Sequence, residues 1–172
     1  HDAAGIDISL RKYGGIRTVS GGYIITAGNN YYGGVWYGVP CLLLLKTDLS
    51  GNIVTKKEYG PPGSWHEPWS PVMLTPDGGY ILTGDKQIAK TNKAMFFKFN
   101  ASLDSVWEKI YTDGQGTEIK VISGGYIGTG YYSPFLLKTD SLGNQIWRRT
   151  YTITGTNEFL YSIEQASDSG YI

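Results

Sequence analysis

Gly21-Gly22-Tyr23-Ile24-Ile25-Thr26-Ala27-Gly28 decides the fold, because it comes back. It returns as Gly78-Gly79-Tyr80-Ile81-Leu82-Thr83-Gly84 and again as Gly124-Gly125-Tyr126-Ile127-Gly128-Thr129-Gly130. A fourth start, Ser169-Gly170-Tyr171-Ile172, closes the sequence; the four starts lie 57, 46 and 45 residues apart. A period of this size marks units that cannot bury their apolar surface alone and must stack on one another.

Two further blocks keep step with the first. Leu42-Leu43-Leu44-Leu45-Lys46-Thr47-Asp48 matches Ala94-Met95-Phe96-Phe97-Lys98-Phe99-Asn100 and Pro134-Phe135-Leu136-Leu137-Lys138-Thr139-Asp140. Nine residues beyond each lysine stand Thr55, Trp107 and Trp147, and four further on Tyr59, Tyr111 and Tyr151. Leu10-Arg11-Lys12-Tyr13-Gly14-Gly15 reads as the tail of one more copy.

The composition fits strands rather than helices. There are 24 glycines and 14 tyrosines in 172 residues, and no stretch holds a 3.6-residue apolar period. Glycine is costly inside a helix, whereas tyrosine, threonine and the β-branched residues suit a pleated surface. Each repeat divides into four short strands. The first is the Gly-Gly-Tyr segment, and the second is the apolar run ending in lysine. The third runs from Thr55, Trp107 or Trp147 to the tyrosine. The fourth precedes the next Gly-Gly: Trp69 to Leu74, Ile119 to Ile122, and Leu160 to Gln165. The second strand is apolar on successive residues, so both of its faces are expected to be covered. The third alternates poorly and is expected to be wetter.

These features predict an all-β, β-propeller-like domain of four-stranded antiparallel blades over residues 1–172. Its repeats run approximately over 21–77, 78–123 and 124–168, with partial repeats at 1–20 and 169–172. The turn after the second strand carries its own signal. In Asp48-Leu49-Ser50-Gly51-Asn52 and Asp140-Ser141-Leu142-Gly143-Asn144 the aspartate can accept from nearby backbone N–H groups, while glycine takes positive φ. The middle copy, Asn100-Ala101-Ser102-Leu103-Asp104, puts leucine where glycine is wanted. That turn is expected to be distorted, with Asp104 taking the left-handed position.

The pattern Gly-Gly-Tyr-Ile, then Leu-Leu-Lys-Thr-Asp-x-x-Gly-Asn-x-x-Trp, then Tyr resembles tandem repeats of secreted and surface proteins of bacteria and archaea that are thought to form propellers. Asp140-x-x-Gly143-x-x-x-Trp147 is also similar to the turn-plus-tryptophan of quinoprotein-type propeller repeats. The resemblance implies a fold and an extracellular or cell-surface setting; it implies no activity, because propellers host many functions.

Charge and chemistry narrow the function classes. Fifteen basic and fifteen acidic side chains cancel, which argues against a general grip on nucleic acid. The longest apolar run, Val39 to Leu45, is too short to insert across a bilayer as a helix. Cys41 is the single cysteine, and His1 and His66 are the two histidines, so no cysteine-based zinc site can form and imidazole ligands are few. No Gly-x-Ser-x-Gly elbow, phosphate loop or Asp-rich calcium loop occurs, and neither a cofactor nor a metal is expected. Glu67, Asp77, Asp85 and Glu158 are carboxylates that a glycosidase could use, but nothing selects a pair.

Two insertions lengthen the first repeat, 29–38 and 61–69, and they hold most of the tryptophans. Tyr31, Tyr32, Trp36, Tyr37, Trp65, His66 and Trp69, together with Tyr131 and Tyr132 in the matching loop of the third repeat, are the candidate ligand-binding residues. The plainer account is that these aromatics pack on the core or on a neighbouring blade. His66 beside Glu67 reads as an acid–base pair or as a polar rim on the tryptophans. The expectation is a non-enzymatic scaffold or recognition module meeting a protein or glycan at the cell surface. The remaining blades of the same protein, or other copies of the chain, are further expected partners. A carbohydrate-binding module and a propeller glycosidase or quinoprotein-like enzyme are the alternatives.

Overall fold

The computed structural model describes residues 15–32, 35–60, 66–132, 134–151, 160–167 and 170–171. Thirteen strands build three antiparallel sheets, and no helix occurs among the described residues. Sheet one is the meander β1 (Ile16–Val19), β2 (Gly22–Tyr32), β3 (Val35–Thr47) and β4 (Ile53–Tyr59). Sheet three repeats it with β10 (Gln115–Ile122), β11 (Gly125–Tyr131), β12 (Phe135–Asp140) and β13 (Gln145–Thr150). Sheet two has β7 (Tyr80–Ile88), β8 (Thr91–Phe99) and β9 (Ser105–Asp113), and its first strand is split into β5 (His66–Pro68) and β6 (Met73–Leu74), both paired to β7.

The hydrogen-bonded unit is therefore phased one strand earlier than the sequence repeat suggests. The strand before each Gly-Gly pairs across that turn with the Gly-Gly-Tyr strand, as in Thr18↔Tyr23 and Val121↔Tyr126. It belongs to the sheet that follows, not to the one that precedes. A two-residue turn can join only neighbouring antiparallel strands, which fixes this phase. The expected strand Trp69–Leu74 is interrupted: Trp69 donates its N–H to Thr83 O at 3.2 Å, and regular pairing resumes only at Met73. Among the described residues, the expected strand Leu160–Gln165 pairs at Gln165, with Tyr171. Within the expected insertion 29–38, Tyr31↔Trp36 and Tyr32↔Val35 pair and extend β2 and β3. Leu10–Gly14 lies outside the described residues.

Apolar runs on β3 and β8 are covered on both faces. Leu42, Leu43 and Leu44 are fully buried, as are Ala94, Met95 and Phe96. One core cluster joins Ile24, Leu42 and Leu44 to Tyr80, Leu82, Met95, Phe97 and Phe99 between sheets one and two. A second joins Ile81, Ala94 and Phe96 to Ile119, Tyr126, Phe135 and Leu137 between sheets two and three. The last strands β4, β9 and β13 are wet, exposing Val54, Val106 and Ile146 at equivalent positions. Neighbouring sheets approach most closely through their first strands, β5 against β2 and β3, and β10 against β7 and β8. Gly116 on β10 marks that approach: a Cβ there would stand 2.0 Å from Thr83 Oγ1.

The outer ends of the sheets are tied by a repeated pair of bonds. Tyr59 on β4 donates its hydroxyl to Leu103 O, and Lys57 Nζ reaches Asp104 Oδ1 at 2.9 Å. One sheet on, Tyr111 donates to Gly143 O at 2.9 Å, and Lys109 Nζ reaches Asn144 Oδ1 at 2.6 Å. Burial pushes the Tyr59 hydroxyl up to about 12, helped by the Asp104 charge, and raises Tyr111 as well. Both remain donors.

The middle turn is not distorted. Leu103 itself takes φ 64°, beside 85° for Gly51 and 75° for Gly143. Asn100 N donates to Asp104 O at 2.9 Å, as Asp48 N and Asp140 N donate to the last residue of their turns, while Asn100 Oδ1 accepts from Ser102 N and Asp104 N. Asp48 and Asp140 do the same in their turns. Asp and Asn have simply exchanged ends. Left-handed backbone costs leucine about 1–2 kcal/mol. Complete burial of the side chain in the first cluster offsets it.

Leu103→Gly should thus destabilise the chain by about 2–4 kcal/mol although it relieves the backbone, because the lost burial and the cavity outweigh the relief; urea unfolding would show it. Tyr111→Phe should cost about 1 kcal/mol, as one buried carbonyl loses its donor, read from the same midpoints.

Candidate functional site

Among the described residues, the candidate aromatics gather where the first strand of sheet two meets the end of β11. The split in the first strand of sheet two puts His66, Glu67 and Trp69 beside β7. His66 pairs with Lys86, and Glu67 with Asp85. Successive strand residues point to opposite faces, so His66 and Glu67 serve different junctions and do not form an acid–base pair with each other.

His66 is buried between sheets one and two. Its Nε2 stands 3.7 Å from Glu108 Oε2, and Lys86 Nζ stands 2.7 Å from Glu108 Oε1. His66 and Lys86 together hold the Glu108 carboxyl down to about 2; only the lysine is within hydrogen-bond distance.

Glu67 and Asp85 face sheet three, and both are buried. Trp69 Nε1 donates to Asp85 Oδ1 at 2.5 Å, and Gln115 Nε2 to Oδ2 at 3.1 Å. Burial pushes the Asp85 carboxyl up to about 7, and the Glu67 charge adds to it. Gln115 Oε1 is buried with no hydrogen-bond partner.

Outside this acid lies a row of rings. Trp69 and Tyr131 are half-buried with centroids 5.3 Å apart; Tyr131 and Tyr132 follow at 4.2 Å, tilted by 31°. Tyr132 is 69% exposed and sits at φ 68°. The structure thus brings together Trp69, Tyr131 and Tyr132 and removes His66 from their surface. Tyr31, Tyr32, Trp36 and Tyr37 belong to β2 and β3, but their side chains lie outside the described residues, as does Trp65 entirely. Of the other carboxylates, Asp77 sits at the far end of sheet two. Lys98 at 2.8 Å and Thr75 hold it down to about 2. Glu158 lies outside the described residues. No group of three or more His, Cys, Asp or Glu able to hold a metal occurs among the described residues.

Gln115, Lys86 and Glu108 carry no sequence motif. The one available signal was Asp85, a carboxylate in the strand position that holds Gly28 and Tyr131 in the other repeats. No protein-family model matches the chain, and no curated protein matches it either.

Ordinary aspartate titrates near 3.9, so the folded chain holds the Asp85 proton more tightly than the unfolded chain does. Its burial costs nothing below about pH 4, and the penalty grows as pH rises from about 4 to 7. Glu108 acts oppositely: its stabilisation is complete above about pH 4 and is lost as pH falls toward 2. Asp77 follows Glu108, weakened by solvent because its side chain is 65% exposed. Asp85→Asn should flatten the decline between pH 4 and 7 and leave the acid limb in place, as chemical unfolding at stepped pH would reveal.

Proposed function

We propose that the chain is a non-enzymatic scaffold and recognition module of β-propeller type, part of a secreted or cell-surface protein. The observation that carries the architecture is the close approach of neighbouring sheets at β5 and β10, with wet outer strands. Sheets set like this around an axis would form blades. The setting outside the cell rests on the repeat resemblance. The non-catalytic reading is supported by the use of the acids: both oxygens of Asp85 accept bonds from Trp69 and Gln115, and Glu108 is tied to Lys86.

A second reading, carbohydrate binding, is favoured by the row Trp69–Tyr131–Tyr132, which ends in an exposed ring on a left-handed backbone. Flat aromatic faces with polar tips suit the apolar face of a sugar ring.

A glycan array followed by tryptophan-fluorescence titration of the best oligosaccharide would test recognition. Tyr132→Ala should weaken binding about tenfold, equivalent to about 1.4 kcal/mol, with the thermal midpoint unchanged. Hydrolysis of chromogenic glycosides that disappears in Asp85→Asn would instead establish an enzyme.

A further inference from the structure

The two sheet-to-sheet junctions use the same donor set, and sheet three carries a third copy of it. Arg149 and Tyr151 stand where Lys57 and Tyr59, or Lys109 and Tyr111, stand in the sheets before. Tyr151 is 44% exposed, and its hydroxyl has no partner among the described residues. Leu136 is only half-buried, whereas its equivalents Leu44 and Phe96 are fully buried under the next sheet.

The inner half of this face is already dressed as another junction. Ile163 N donates to Glu118 Oε2 at 2.7 Å, and Thr117 Oγ1 to Leu160 O at 2.6 Å. Gln165 pairs with Tyr171 as Leu74 pairs with Tyr80. Ala166 N bonds Gly170 O at 2.9 Å, as Thr75 N bonds Gly79 O. Trp147 packs on Tyr171 at 6.3 Å, as Trp107 packs on Tyr126 at 6.0 Å. Between these inner contacts and Tyr151 runs an open cleft of about 230 Å³ lined by Thr129, Leu136, Leu160, Ile163 and Tyr171.

We propose that the outer half of sheet three is a docking face for one more hairpin of the repeat: an apolar strand, an Asx-x-x-Gly-Asn turn and a returning strand. It would add by backbone pairing beside Tyr171. Tyr151 takes the carbonyl of the turn's left-handed residue, and Arg149 takes the Asx side chain that follows. That left-handed residue must be glycine. Trp107 lies on Gly143, where a Cβ would meet its ring at 2.8 Å, and Trp147 repeats Trp107. Only sheet one, with Thr55 in place of tryptophan, is matched by a leucine. The inference rests on the stacked-sheet architecture and not on the recognition reading.

The test uses the 172-residue chain and a fluorescein-labelled peptide with the sequence of residues 134–151, followed by anisotropy. Saturable binding is expected. It should fall about tenfold for the chain carrying Tyr151→Phe and Arg149→Ala, and about tenfold or more for a peptide carrying Gly143→Leu. The second variant leaves the chain untouched, so loss of folding cannot mimic it. Absence of saturable binding, or equal binding of the leucine peptide, would overturn the proposal. So would dimers of the chain alone in native mass spectrometry that vanish with Tyr151→Phe, because a second copy would then hold the face. None of these outcomes bears on the Tyr132→Ala titration, which tests recognition separately.

Discussion

A strand that is apolar on consecutive residues cannot stop at one layer. β3 and β8 present side chains to both sides of their sheets, and water on either side would expose a row of leucine or phenylalanine. Sheets one and two must therefore be covered on both faces at these strands, and much else in the chain accommodates that demand. The short turns set the strands in order. Thr83 and Gly116 let the first strands close in, and the tyrosine–carbonyl bonds hold the last ones at a working distance. The hydrophobic term supplies most of the energy; the polar ties fix where one sheet lies on the next.

Volume is conserved across the junctions rather than within a repeat. Where the facing strand carries Trp107, the turn beneath it is reduced to Gly143. Where that strand carries Thr55, the turn of the next sheet carries Leu103, fully buried. Read one repeat at a time, Leu103 looks like a fault. Read across the junction, it accompanies Thr55 where the next junction pairs Trp107 with glycine, and its burial outweighs the left-handed backbone.

This explains what the sequence could and could not disclose. The Gly-Gly-Tyr starts, the apolar runs and the Asx turns are local signals with a fixed period, so strand class, antiparallel order and most turns were legible. The phase of the sheets was not, because a repeat has no intrinsic beginning; only the pairing of Thr18 with Tyr23 and its equivalents decides it. The buried Asp85–Gln115 contact joins residues thirty positions apart on different sheets, and neither residue belongs to a recurring block. The aromatic candidates divided for a similar reason. His66 and Trp69 are near neighbours in sequence, yet the break in pairing after β5 sends one into a junction and leaves the other beside Tyr131.

The exchange of Asn100 and Asp104 has a consequence for assembly. Stacked units of like sequence can come together in the wrong succession. Moving the carboxylate to the far end of the middle turn gives that junction a negative contact for Lys57, where the following one offers Lys109 a neutral amide. The ion pair is too exposed to add much strength. Together with the exchange of Trp107 and Gly143 for Thr55 and Leu103, it makes the two junctions chemically distinct.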